Sequence, residues 1–385
     1  MAGTGRGRRG SRLRRAALCV TIGTALAAGT AACGTAAHPA GPARPGNAGV
    51  SVLAARAGTI SETGSGLLYP LMRSWAAAYQ QATPGVTVTA ASTGSGTGIA
   101  AASAGTADLG ASDAYLSSGD LVKNPTLLNV PLAVSAQTII YNLPDVSGHV
   151  QLNGAVLVDI YDGTVTMWND PLIAAINPHV TLPAMKIVPV RRSDSSGDTF
   201  LFTSYLSTGN QSPQDQRWNS QIGYGTTVTW PSVPGELVET GSVTVLHACA
   251  STPGCVAYNG ISYLAQAQSA GLGEAALAND AGQYTLPTAA AITASVGSFV
   301  SLTPPNETIS MIDGPALTGY PIVNYEYAVV STRQPDAAKA SALTAFLKWI
   351  ISTGNQPRYV DPVGFQPLPS ALVTLGEQQI GEIGS

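Results

Sequence analysis

Charge is scarce in this 385-residue chain. Only 10% of its residues are Asp, Glu, Lys or Arg, and aromatic residues make up 6%. The basic residues are also unevenly placed. Six of the 18 (Arg6, Arg8, Arg9, Arg12, Arg14 and Arg15) precede Cys33, where there is no acidic residue, leaving 12 basic against 22 acidic residues beyond it and a net charge of −10. Binding to a phosphate backbone needs a basic face, so this balance excludes nucleic acid as a partner. Any anion must be held by local donors rather than by an attractive overall field.

Reactive side chains are few as well. There are four cysteines and four histidines, and no GxxxxGK[ST], HExxH, GxSxG or CxxC motif. His149, His179 and His247 lie near no Ser or Cys in a pairing that would make a nucleophile. No catalytic residue, metal site or cofactor is therefore expected. A match to GxGxxA at Gly96, Gly98 and Ala101 is a minor dinucleotide-binding reading, weak when it stands alone. Long hydrophobic runs are also lacking. The apolar stretch from Ala16 to Ala28 is too short to cross a bilayer comfortably.

What is present begins with an address. The arginine-rich start, the short apolar stretch and the small residues of "GTAACGT" have the order of an export signal over residues 1–33. Cys33 stands where a bacterial lipoprotein carries its lipid, so an anchor on the extracytoplasmic face of the cell membrane is expected. Residues 34–57, rich in Ala, Pro and Gly, read as a tether. Cys249 and Cys255 flank a Pro-Gly turn, and in an exported protein they read as a small disulfide loop. A metal site there has only His247 nearby and lacks a ligand set.

Apolar β-rich runs ("GVTVTAAS", "ADLGAS", "LAVSAQTIIYNL", "KIVPVRR", "YPIVNYEYAVV") alternate with helix-like runs ("LYPLMRSWAAAYQQA", "TFLFTSYLS", "ISYLAQAQSAG", "AAKASALTAFLKWIIS"). This is an α/β layout. In the first helix Leu71, Trp75 and Tyr79 mark the core face, with Pro70 in the opening turn. Three polar turns, "ETGSGLLYP", "TGSGTGIAAA" and "RRSDSSGDT", each stand at the mouth of a helix, where free N–H groups can hold an anion. "LGASDAYLS" ends an apolar stretch on Ser112 and Asp113. Taken singly, such turns are often structural, and Asp113 or Asp198 can simply cap a helix.

Taken in order, "TGSGLLYP", "TGSGTGI", "LGASDAYLS", "YDGTVTMWNDP", "RRSDSSGDTFLFTSYLS", "GCVAYNGISYL" and "YPIVNYEYAVV" resemble the phosphate-binding proteins of bacterial ABC phosphate uptake, the PstS family. The wording is most similar to mycobacterial and other actinobacterial lipoproteins, and the resemblance runs from about Glu62 to Leu372. It implies a two-lobed periplasmic-binding-protein fold (type II) with the ligand site in the interdomain cleft. Lobe I would comprise 58–132 and 318–385, and lobe II 133–317. The chain would cross between lobes near Val130 to Gln137 and return near Gly314 to Ile322. It also implies inorganic phosphate as ligand, and delivery to ABC permease subunits driven by a cytoplasmic ATPase.

Carried over by position, Ser95, Asp113, Arg192, Asp194, Ser196 and Gly197 match phosphate-contacting residues. Leu68 and Tyr69 match a pair offering backbone N–H groups. The family often has threonine at the Leu68 position, so here only the amide serves. Asp198 replaces another common threonine, with two readings: a second acceptor facing the ligand, or a cap on the following helix.

The residue chemistry agrees with this resemblance. Arg192 offers a planar charged fork for an oxyanion, with Asp194 placed to position it. Asp113, once ionised, only accepts hydrogen bonds and so requires a ligand that still carries a proton, as phosphate does and sulfate does not. Two other classes remain as alternatives: an exported phosphoester-acting enzyme, and a surface adhesin or sensor on the same fold.

Overall fold

Fifteen residues from Leu127 to Tyr141 form a single strand in which every residue except Leu128 is buried. A run this apolar suits a strand covered on both faces, and it is the spine of the molecule. The computed structural model describes residues 58–208 and 212–384. The expected signal segment, Cys33 and the tether lie outside the described residues.

In chain order the strands are β1 (Gly58–Gly64), β2 (Val86–Thr89), β3 (Leu109–Ser112), β4 (Leu127–Tyr141), β5 (Gln151–Leu152), β6 (Val188–Arg192), β7 (Leu237–Glu239), β8 (Cys255–Gly260), β9 (Gly273–Glu274), β10 (Ala276–Ala278), β11 (Tyr284–Thr285) and β12 (Val323–Ser331). The main sheet runs β2-β1-β3-β12-β4-β8-β6-β7, with β9 also on β4, and β11-β10-β5 form a small sheet. The spine changes partner along its length. β4 pairs antiparallel with β12 from Leu127 to Ala136, then with β8 from Gln137 to Tyr141. The outer strands β1, β2 and β3 are mutually parallel on one side, as are β6, β7 and β8 on the other.

Helices cover this sheet. Helix Tyr69–Ala82 has Pro70 in its first turn and buries Leu71, Met72, Trp75, Ala76 and Tyr79, and Trp75 Nε1 donates to Gly354 O at 2.7 Å. The stretch expected as one helix over "ISYLAQAQSAG" is instead a 3-10 turn, Ile261–Tyr263, followed by a short helix, Leu264–Ser269. Tertiary ties account for the break. Ser262 Oγ donates to Leu67 O and Tyr263 OH to Gly66 O, which fixes this segment to the turn after β1. Cys249, near the end of helix Ser242–Ala250, is disulfide-bonded to Cys255 at the start of β8, with Cα atoms 5.2 Å apart. Among the described residues no helix is long and apolar enough to cross a membrane.

One buried acid away from the polar turns has a measurable consequence. Glu307 is fully buried and neither carboxylate oxygen receives a hydrogen bond, so burial pushes its pKa from 4.5 up to about 9. Between those values the unfolded chain releases a proton that the folded chain keeps. Stability therefore falls as pH rises across that window, by at most about 1.4 kcal/mol per pH unit. Glu307→Gln should melt above the native protein near pH 8, with the gap shrinking toward pH 5. Thermal melts at both pH values check this, and an equal gap at the two would refute it.

Candidate functional site

The polar turns singled out in the sequence follow the carboxyl ends of parallel strands. In open α/β sheets that edge is where ligands bind. Gly64 ends β1 and leads into Ser65; Asp113 follows β3 directly; Arg192 is the last residue of β6. Ser95, Gly197 and Ser242 each open a helix, Ser95–Ala104, Gly197–Thr208 and Ser242–Ala250.

Small residues let these turns approach one another. Gly94 takes φ +94°, a conformation open to glycine, just before helix Ser95–Ala104. A side chain at Gly98 would lie 2.6 Å from Ala111 O, and one at Gly110 2.2 Å from Gly98 O, so this helix presses directly on β3. Of the two glycines of the GxGxxA match, Gly98 thus serves backbone contact between helix and strand, while Gly96 makes room for Ser195, whose Oγ would lie 1.8 Å from a Cβ there. At Gly197 a Cβ would fall 2.1 Å from Asp113 Oδ2 and 2.4 Å from Ser95 Oγ. These three residues, far apart in sequence, meet at one point. Gly96 N donates to Ser195 O at 3.0 Å, joining the same two turns through backbone.

Arg192 is the charged centre. It is 3% exposed. Nε donates to Asp194 Oδ1 at 2.7 Å, one terminal nitrogen to Asp194 Oδ2, and the other to Asp198 Oδ2 at 2.8 Å and to Ser242 Oγ at 3.1 Å. These four contacts draw on a fork with five N–H donors. Burial disfavours the guanidinium charge, but the two aspartates outweigh it and raise the pKa further. Burial likewise works against the Asp194 carboxylate, and the bond to Arg192 overrides it, holding Asp194 below its ordinary value.

Of the two sequence readings of Asp198, the observed partners bear on the helix cap. The residue lies in the first turn of its helix but caps nothing. Oδ2 accepts from Arg192 and from Ser242 Oγ at 3.0 Å, and Oδ1 accepts from Gln137 Nε2 at 3.2 Å. The hydroxyl that reaches the helix amides is Ser196 Oγ, accepting from Thr199 N at 3.4 Å. The cap reading is therefore corrected: a buried guanidinium competes for the carboxylate more strongly than a backbone N–H does.

Asp113 is 2% exposed. Oδ1 accepts from Ser65 Oγ, its backbone N–H donates to Ser95 Oγ at 3.1 Å, and Oδ2 receives no hydrogen bond from an N–H or hydroxyl. Burial first, and then the charge of Asp198, push its pKa from 3.8 up to about 6, opposed by the Ser65 hydroxyl and by the charge of Arg192.

Two backbone donors are already committed. The Leu68 amide, expected to face an anion, donates to Ser65 Oγ at 2.9 Å, and Leu68 itself is buried in the core. Ser196 N donates to Thr226 O at 2.8 Å. Tyr69 opens its helix, half-buried, with the Arg73 guanidinium over its ring. Ser65, Gln137, Ser242 and Glu326 are members of the network that residue patterns did not single out. Ser65 stood in a turn already marked, whereas the other three belong to segments without a polar cluster. Beside the network a groove of about 580 Å³ is lined by residues including Gly96, Tyr115, Ser195, Phe200, Tyr224 and Thr226. Among the described residues no group of three His, Cys, Asp or Glu side chains is arranged to hold a metal ion.

Residues 49–353 match the PBP superfamily domain model. The phosphate-binding protein PstS of Methanocaldococcus jannaschii is 32% identical over 81% of this chain and 83% of its own length. That of Xylella fastidiosa is 32% identical over 82% of each chain, and PstS3 of Mycobacterium bovis 31% identical over 86% of this chain and 88% of its own. An archaeal, a proteobacterial and a mycobacterial relative thus stand at nearly equal identity, with no particular closeness to the mycobacterial protein.

Among solved structures, a high-affinity periplasmic phosphate-binding protein with bound phosphate superposes with a TM-score of 0.63 at 22% identity, covering 85% of this chain and 99% of the other. A phosphate ABC transporter substrate-binding protein from Clostridium perfringens gives 0.56 at 17%, covering 81% and 100%. Those two likenesses establish a shared α/β fold. The sequence relatives go further, and the chain belongs to the PBP superfamily and, within it, to the PstS family of phosphate-binding proteins.

Proposed function

We propose that this protein is an extracytoplasmic solute receptor that captures inorganic phosphate and delivers it to an ABC import permease; it is a binding protein and not an enzyme. The observation that carries the reading is the meeting of Asp113, Ser95 and Gly197 at one buried point beside the Arg192 guanidinium, in a chain of the PstS family. Arg192 supplies the positive charge, held in orientation by Asp194 and Asp198. Ser95 Oγ, Ser196 Oγ and the amides of Tyr69 and Gly197 supply neutral donors, and Asp113 accepts the ligand's own proton.

The ligand would bind between two lobes, 58–132 with 318–385 and 133–317, closing one set of turns onto the other. The change of partner along β4 at Ala136 and Gln137 supports such a division. The lipid at Cys33 would hold the protein at the outer face of the membrane. The permease would be driven by a cytoplasmic ATPase, and the lipoprotein form would be of the actinobacterial kind.

Calorimetric titration with phosphate, arsenate and sulfate tests the reading. Phosphate and arsenate, which keep a proton, should bind and compete, and sulfate should not. Absence of phosphate binding would sink it. A phosphoester hydrolase would instead turn over a generic phosphoester, and an adhesin would bind none of the three anions.

A further inference from the structure

The side chains at the centre of the site are buried: Ser95 is 0%, Asp113 2%, Arg192 3% and Ser196 1% exposed. An anion held among them must pass through a wall that can part. On the side of the groove of about 580 Å³ that wall is one residue thick. Gly96, Ala114 and Ser195 line the groove, and each is the chain neighbour of a site residue, Ser95, Asp113 and Ser196 in turn.

Across this wall the start of helix Ser95–Ala104 meets the turn before helix Gly197–Thr208. Gly96 N donates to Ser195 O at 3.0 Å, and the fit around that bond leaves no slack. A Cβ on Gly96 would lie 1.8 Å from Ser195 Oγ and 2.6 Å from Ser195 Cβ, far inside the contact distance of packed atoms. Turning the Ser195 hydroxyl aside would leave the overlap at Cβ. Ser195 is also held from behind. Its Oγ donates to Thr226 Oγ1 at 2.9 Å, and the next amide, Ser196 N, donates to Thr226 O at 2.8 Å. Alongside, Phe200 meets Tyr115 edge to face with ring centroids 5.3 Å apart, which ties the segment after Asp113 to the same helix.

We propose that Gly96 and Ser195 are a matched closing pair, a bare Cα on one turn and a serine anchored to Thr226 on the other, which draws the Ser95 and Ser196 turns together and seals them from the groove. Both are positioning residues, since they act on the ligand through their neighbours Ser95 and Ser196. In the two-lobe reading Gly96 belongs to 58–132 and Ser195 to 133–317, so the pair stands where the two sides would meet.

The role in binding rests on the phosphate reading, and reciprocal substitutions test it. Gly96→Ala pushes a methyl group into the seam. Gly96 lies in the first turn of its helix with no left-handed φ, and alanine is the better helix former. The variant should therefore melt no lower than the native protein, yet bind phosphate at least tenfold more weakly by calorimetry. Ser195→Gly removes both overlapping atoms and keeps the carbonyl that accepts from residue 96. The next atom to the added methyl group is then Thr226 Oγ1 at 3.4 Å. The double variant Gly96→Ala/Ser195→Gly should bind phosphate at least fivefold more tightly than Gly96→Ala, although Ser195→Gly alone binds no better than native. A general loss of stability would show no such recovery. Gly96→Ala binding within tenfold of native, a double variant no tighter than Gly96→Ala, or a Gly96→Ala chain that does not fold would each overturn the proposal, the last by making the contact part of the core.

Hydrogen exchange separates the pair from the phosphate reading. The amide of residue 96 stands in the first turn, where a helix supplies no acceptor, so its protection reports the bond to Ser195 O. Followed by NMR with and without inorganic phosphate, that amide should exchange slowly in the native protein, fast in Gly96→Ala and slowly again in the double variant. This pattern in a protein that binds no phosphate would sink the phosphate reading and leave the closing pair standing. Exchange as fast in the native protein with phosphate present as in Gly96→Ala would overturn the pair.

Discussion

Replacing Arg192 by methionine should abolish phosphate binding and destabilise the fold by about 3–5 kcal/mol, because it leaves the buried carboxylate of Asp198 and the half-buried one of Asp194 without their counter-ion. Methionine keeps much of the packing volume, so the loss is electrostatic. Asp198 is 1% exposed, and of its three side-chain donors Arg192 is the charged one. The stability deficit should shrink in acid, where Asp198, whose pKa burial already raises, takes up a proton and no longer needs the guanidinium. Arg192→Lys separates binding from folding. It keeps one positive charge but cannot bridge Asp194, Asp198 and Ser242 together, so it should fold and still bind phosphate at least tenfold more weakly. Calorimetry and denaturant unfolding of the three proteins measure both quantities. Arg192→Met binding phosphate within tenfold of native would remove Arg192 from the site.

The parts of this fold legible in the sequence were those where local pattern and tertiary demand agree. Leu71, Trp75 and Tyr79 recur at helical spacing and are buried. The apolar run around Ala133 to Tyr141 is a strand because its residues are covered on both faces. β1, by contrast, carries Ser, Glu and Gly, residues that weaken a strand signal, and it forms because β2 and β3 pair on either side of it. Arg192, Asp194, Asp113 and Ser95 stood out because charge and Gly-Ser turns are conspicuous in a chain this apolar. Gln137 and Glu326 did not, since they sit inside strands whose neighbours read as core. A single polar residue in an apolar strand acquires meaning only when its cross-strand partners are known. Asp198 stood between ligand contact and a helix cap for a related reason: besides Arg192, its partners Ser242 and Gln137 lie 44 and 61 residues away.

Asp113→Asn should cost phosphate affinity less than it costs the rejection of sulfate, and the preference for phosphate should fall by about 100-fold or more. An ionised Asp113 has no proton to give, so a fully deprotonated oxyanion meets a like charge and leaves a buried acceptor unpaired; a site built on one hydrogen bond commonly rejects the analogue lacking it by about four orders of magnitude. An amide reverses this, because its N–H donates to an oxyanion while its carbonyl still accepts from Ser65. The same logic predicts a pH dependence in the native protein. Asp113 has its pKa raised from 3.8 to about 6, so below about pH 6 the ligand-free site increasingly holds a neutral acid that donates. Sulfate rejection should therefore weaken as pH falls through that value, while in Asp113→Asn it should be flat. Competition of sulfate against phosphate, measured near pH 5 and near pH 8 in both proteins, reads out all of these terms. A native preference that holds unchanged across that range, or an asparagine variant that rejects sulfate as well as the native protein, would mean that the proton of the ligand is read by a group other than Asp113.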